Sequence, residues 1–204
     1  MRELYVCCVR YFKEKMVIGR DQCYEIFRSN GLVQRKKRVR PKTTNSNHNY
    51  YIYPDLLNTT PKFVASTSGS IIVGYSFCPS LTTEGPMKAL ESAFLFYREN
   101  GIDISGLIHH SDRGVQYCSN QYVDTLKAQH ISISMTQCGD PLHNALAERM
   151  NNTIKNGWLF DCGKETFNQV EERIKQAVYT YNNIRPHQAL KMRTPMEIIK
   201  EEKV

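Results

Sequence analysis

This chain lacks the ~18 consecutive apolar residues that a membrane helix needs, so no transmembrane segment is expected. The apolar start, Tyr5-Val6-Cys7-Cys8-Val9, is broken at Arg10, too soon for a secretory signal; a cytoplasmic setting without membrane attachment is the expectation. Seven cysteines are present, an odd number with no Cys-x-x-Cys pair, which argues against a disulfide framework and against a zinc site. Reduced thiols packed as small apolar groups are the expected state. Internal repeats are missing, and tryptophan occurs once, at Trp158. Acidic residues are outnumbered, 20 against 27 basic, and the net charge of +7 favours a polyanionic partner without proving one. At 204 residues, 41% of them hydrophobic, the chain can hold one packed domain and a small extra module.

What is there centres on His109-His110-Ser111-Asp112-Arg113-Gly114-Val115-Gln116-Tyr117, read with Asn144-Ala145-Leu146-Ala147-Glu148. Leu107 and Ile108 read as the end of a short buried strand, and Arg113-Gly114 is turn chemistry. Asp112 is thus predicted at a strand tip. Glu148 falls within a helical pattern, with thirty-five residues between it and Asp112. Two carboxylates from a strand tip and a helix form half of a site for a hard cation, which takes oxygen ligands and bridges to phosphate.

Around this centre, residues 1–34 read as helical, with Asp21 as a helix cap and Asn30-Gly31 as a stop. Arg35, Lys36, Lys37, Arg38, Arg40 and Lys42 crowd eight positions. Such a block either contacts a phosphate backbone without sequence choice or is a solvated linker. Residues 43–65 are rich in Asn, Thr, Tyr and Pro and continue the linker; Tyr50-Tyr51-Ile52-Tyr53 is either a packing segment or a stacking platform. Ile71–Phe77 is predicted as a strand. A helix follows from Pro86 to Asn100-Gly101 with Met87, Leu90, Phe94 and Tyr97 inward. Ser119 caps the next helix, Ile131–Ser134 is a strand, and the alternation of strand and helix predicts parallel pairing.

On the Glu148 helix, Asn144, Glu148, Asn151, Asn152 and Lys155 share a polar face, opposite Leu146, Met150 and Ile154. That face is either solvated, or it ligates metal through Glu148 and touches DNA through Asn152 and Lys155. Thr166-Phe167-Asn168-Gln169 is a capping box that opens a helix striped by Phe167, Val170, Ile174, Ala177 and Tyr181 and ended before Pro186.

Four motifs in this order resemble the integrase-type DDE transposases of bacterial insertion sequences: His-Ser-Asp-Arg-Gly-x-Gln-Tyr, Asn-Ala-x-Ala-Glu, Tyr181-Asn182-Asn183-Ile184-Arg185-Pro186-His187-Gln188-Ala189-Leu190, and Thr194-Pro195-Met196-Glu197. The resemblance runs from about Ile71 to Ile199. It implies an α/β fold with a ribonuclease H-like core, a mixed sheet flanked by helices. It implies metal-dependent DNA cleavage and strand transfer, with Asp112 and Glu148 catalytic and metal-ligating, and Mg²⁺ or Mn²⁺ as cofactor. DNA is the implied partner, at the insertion-sequence ends and the target, with a homo-oligomer assembled on it. Arg185 and His187, in the segment after the long helix, become candidate DNA contacts beside Arg35, Lys36, Lys37, Arg38, Arg40, Asn152 and Lys155.

The family pattern also needs a first aspartate, in a strand ahead of Ile71–Phe77 and followed by a second strand. Here Lys62-Phe63-Val64-Ala65 runs almost directly into Ser66-Thr67-Ser68-Gly69. The core is therefore expected to lack its first two strands. Asp55 is the nearest carboxylate that could substitute. The expected division is a partial helix-turn-helix-like module at 1–34, a basic and polar linker at 35–65 and an incomplete catalytic core at 66–200. A separate helix-turn-helix protein is a candidate partner, and a defective copy or a non-catalytic DNA-binding remnant are the two expected outcomes.

Overall fold

The structure, a computed structural model, describes residues 2–33, 48–59, 71–80, 82–136, 145–157 and 165–201. Two compact units emerge: residues 39–64 with 73–151, and residues 1–38 with 65–72 and 152–204.

The first of these units carries the sheet. Strand β1 (Ile108–Ser111) pairs in parallel with β2 (Ser132–Met135), in the register His109 to Ile133 and Ser111 to Met135. Helices α5 (Val115–Cys118) and α6 (Asn120–Ala128) connect them. Ser119 caps α6 through its hydroxyl, which accepts from the Tyr122 N–H, so the helix starts where its sequence signal lies. The inward face of α6, Tyr122, Val123 and Leu126, packs on Ile131, Ile133 and Met135 of the β2 segment and on Leu90 of α4 (Glu84–Glu99). Leu126 and Met135 are sealed from water, each stabilising the unit by roughly 2–3 kcal/mol. Helix α4 stops at Asn100-Gly101, where Gly101 takes the left-handed conformation (φ +60°) that a side chain would resist.

Among the described residues, Ile71–Phe77 pairs with neither β1 nor β2. Within that segment Gly74 lies tight against α4: a Cβ there would fall on the Ala89 carbonyl oxygen and 2.8 Å from the Ala93 nitrogen. The two described strands pair in parallel, as the alternation of strand and helix predicts. Within Tyr50–Tyr53 the roles split, since Tyr53 packs beside the core while Tyr51 is 70% exposed. The Lys62–Gly69 junction lies outside the described residues.

The second unit is helical. It contains α1 (Arg2–Phe12), a 3₁₀ turn at Lys13–Lys15, α2 (Arg20–Ser29), α8 (Phe167–Asn183) and α9 (Pro195–Glu201). The capping box at Thr166 and Gln169 forms as its sequence predicts, each residue satisfying the other's backbone N–H. Ile174, Ala177, Val178 and Tyr181 of α8 are buried with Ile198 and Ile199 of α9, whereas Phe167 points outward. Gly19, not Asp21, occupies the cap position of α2, and Asp21 sits in its first turn. Asn182, also buried, accepts from the Ile72 N–H (3.0 Å) and donates to the Ile72 carbonyl (2.8 Å). A primary amide carries the donor and acceptor that a neighbouring strand would present, and here it stands in for one. The boundary between the units falls inside α7 (Ala145–Gly157).

Candidate active site

Asp112 follows directly on β1, at the strand tip predicted for it. Its position is held from both sides. The Thr136 N–H donates to the Ser111 carbonyl (3.0 Å), and the Arg113 Nε donates to the Thr136 carbonyl (2.7 Å). Asp112 Oδ1 accepts from the Gly114 N–H (2.9 Å), closing an Asx turn that fixes the carboxylate's direction. His48 is joined to the turn through Nε2 and the Arg113 carbonyl (2.9 Å).

Beneath the tip lies an aromatic cluster. Tyr122 Oη and His109 Nε2 are 3.0 Å apart, and the Tyr117 and Tyr122 rings meet edge to face at 5.5 Å. Burial lowers His109 from the ordinary imidazole value to about 4, assisted by the neighbouring His110. Its Nδ1 and the Ser111 hydroxyl are buried without a hydrogen-bond partner among the described residues. Burial raises both tyrosines, and the Asp112 charge adds to the effect at Tyr117. Asp112 therefore sits above a low-dielectric floor, where a charge interacts strongly with whatever approaches it.

Helix α7 passes through Glu148 at backbone level and continues through Asn152 and Lys155, both of them exposed, while Met150 and Ile154 are half-buried. Asn144 and the side chains of Leu146 and Glu148 lie outside the described residues. No group of three His, Cys, Asp or Glu side chains that could hold a metal exists among the described residues. Asp55, the candidate substitute, is buried; its Oδ1 accepts from the Leu57 N–H (3.0 Å) and caps the short helix α3 (Leu56–Thr59). The preceding Pro54 carbonyl accepts from the Met135 N–H, on the edge of β2 opposite the one paired with β1. Asp55 is thus two strand spacings, about 10 Å, from the β1 edge.

The remaining candidates divide. Arg35, Lys36, Lys37, Arg38 and Arg40 lie outside the described residues. Arg185 is committed within the protein: its Nη2 donates to Glu3 Oε2 (2.7 Å), and its guanidinium lies 5.6 Å from the Tyr181 ring centre. His187 is buried, with Nε2 3.2 Å from the Tyr181 carbonyl. Glu3 was not a sequence candidate, and no local signal marks it. Five cysteines, Cys7, Cys8, Cys23, Cys78 and Cys118, are free thiols. No helix among the described residues is long and apolar enough to cross a membrane.

Comparison with known proteins gives these features a context. Residues 129–195 match the integrase core domain, a span that takes in Glu148, Asn152, Lys155, Arg185 and His187 and begins after Asp112. An insertion element IS600 uncharacterized 31 kDa protein of Shigella sonnei is 31% identical, over 86% of this chain and 72% of its own length. The transposase for insertion sequence element IS904 of Lactococcus lactis is 34% identical over 47% of this chain, and that for IS629 of Shigella sonnei is 32% identical over 66%. The chain spans 38% and 44% of those two transposases. Among solved structures, the catalytic core domain of BIV integrase is similar at 21% identity and a TM-score of 0.46, covering 67% of this chain and 82% of that one. That likeness is too loose to build on, and membership follows from the sequence relatives: the chain belongs to the integrase-core family of insertion-sequence DDE transposases.

Proposed function

We propose that the chain binds insertion-sequence DNA as a strand-transfer core short of one carboxylate, and that it does not cut DNA unaided. The observation that carries this reading is the placement of Asp112 at the tip of β1, in a chain whose sequence ahead of Ile71 offers no aspartate inside an apolar strand pattern. Asp112 and Glu148 are the metal ligands in this reading. Two carboxylates suit one hard cation, Mg²⁺ or Mn²⁺, which would supply Lewis-acid assistance to phosphoryl transfer. A pair of cations needs a bridging carboxylate. Asp55 does not supply it, being turned into a helix cap on the far side of β2.

Catalysis is accordingly lost while binding persists. Lys155 and Asn152 on the exposed face of α7, and the basic residues 35–40, contact the phosphate backbone. The working form is a homo-oligomer on DNA, and sequence recognition comes from a separate helix-turn-helix protein.

The test is a thermal melt of the chain and of Asp112→Asn, each with and without Mn²⁺, beside a plasmid-nicking assay. The expected result is a small Mn²⁺-dependent rise in the parent, none in the variant, and no nicking by either. Mn²⁺-dependent nicking abolished by Asp112→Asn would overturn the proposal and mean that another group completes the site.

A further inference from the structure

The loop between α8 and α9 contains an arrangement suited to an anion. Arg185 Nε and Nη2 both donate to Glu3 Oε2, at 3.2 and 2.7 Å, and the Gln188 backbone N–H approaches Glu3 Oε1 at 3.5 Å. A guanidinium fork and a backbone amide aimed at one set of oxygens is the donor set that recognises phosphate as readily as carboxylate. The Tyr181 ring beneath the guanidinium holds the fork in place. The Arg185 and Glu3 side chains are each 28% exposed, so the cradle is partly open to solvent.

The occupant comes from helix α1, which also reaches this part of the unit through Cys7, whose Sγ lies 4.0 Å from the Ile184 carbonyl, and through Arg10. Arg10 Nη2 donates to the Met192 carbonyl (2.8 Å), and the Arg10 ion pair with Glu197 spans 3.6 Å with both side chains more than 40% exposed. Exposed pairs of this kind are worth little and weaken further in salt. Burial alone would raise the Glu3 carboxyl, but Arg185 more than offsets this and leaves it below the ordinary range, so Glu3 stays ionised in its seat.

We propose that Glu3 is an intramolecular stand-in for a DNA phosphate: the Arg185–Gln188 cradle is a phosphodiester-binding subsite that α1 covers until DNA displaces it. This rests on the DNA-binding reading above. It makes DNA affinity self-limited, because each engagement of Arg185 by a phosphate must first displace a carboxylate held a few ångströms away.

The test compares binding of a labelled duplex by the full chain, Glu3→Gln, Glu3→Gln/Arg185→Gln and Asp124→Asn, over a range of salt. Asp124 is exposed on α6 and controls for the charge change. The expected result is that Glu3→Gln binds about tenfold more tightly than Asp124→Asn, with a salt slope steeper by about one, and that adding Arg185→Gln removes both gains. Equal affinities for Glu3→Gln and Asp124→Asn would overturn the subsite and leave the DNA reading standing. If no form binds duplex, the DNA reading fails, and inorganic phosphate decides the subsite: a raised melting temperature for Glu3→Gln but not for the double variant, at matched ionic strength, supports it, and no rise overturns it. Should Glu3→Gln not melt cooperatively, Glu3→Asp, whose carboxylate is one methylene shorter, replaces it in the same series.

Discussion

His109 makes the unit that carries Asp112 sensitive to acid, and the size of the effect follows from its surroundings. The imidazole sits under β1 against Tyr117 and Tyr122, and Nδ1 is cut off from solvent. Its value falls from 6.5 to about 4, chiefly through burial. A base whose folded value is depressed is protonated first in the unfolded chain. Its contribution is therefore intact above pH 6.5, is lost as the pH falls from 6.5 to about 4, and changes no further below that. A shift of this size corresponds to at most about 3 kcal/mol, lost at up to about 1.4 kcal/mol per pH unit. The assay is urea unfolding of the parent and of His109→Gln at pH 7.5, 6.5, 5.5 and 4.5. Gln keeps a polar group near the Tyr122 hydroxyl but cannot titrate. Other histidines and carboxylates act in both proteins and cancel in the difference. The variant is expected to be the weaker at pH 7.5, and its deficit should shrink by about 2 kcal/mol or more by pH 4.5. Parallel stability profiles would refute the reasoning, as would a histidine titration placing His109 near 6.5.

Substitutions at two positions probe residues 71–78. Asn182→Ala should cost about 1–3 kcal/mol by denaturant unfolding, because it removes both hydrogen bonds to the Ile72 backbone. Asn182→Asp, which keeps the acceptor and loses the donor, should fall between the parent and Asn182→Ala. Gly74→Ala should lower stability by about 3 kcal/mol, since the added methyl meets the backbone of α4 rather than a side chain that can turn away. A melt unchanged by Gly74→Ala would mean that residues 71–78 do not lie against α4 as described.

Local signals in the sequence were readable because each is resolved within a few residues. The Thr166 box, the Ser119 cap and the Asn100-Gly101 stop all formed where their chemistry predicts, and the strand running up to Asp112 paired in parallel with the one after α6. Asp55 was marked by its place in the sequence alone, and that place does not show that its Oδ1 accepts from the Leu57 N–H. Arg185 and His187 were marked by motif alone, and nothing in the motif shows that one is held by Glu3 and the other is buried against Tyr181.

The sequence by itself determined the family, the order of the motifs and the thirty-five-residue interval from Asp112 to Glu148, because these are properties of the covalent chain. It also determined helix ends such as those at Thr166, Ser119 and Asn100, whose capping partners lie three or four residues apart. Only the tertiary structure decided which polar groups are occupied. Asn182 meets Ile72 across 110 positions and Arg185 meets Glu3 across 182. Folding brings such pairs together at the cost of chain entropy, and whether an amide replaces a strand or a glutamate fills an anion cradle depends on the surfaces that pack around them.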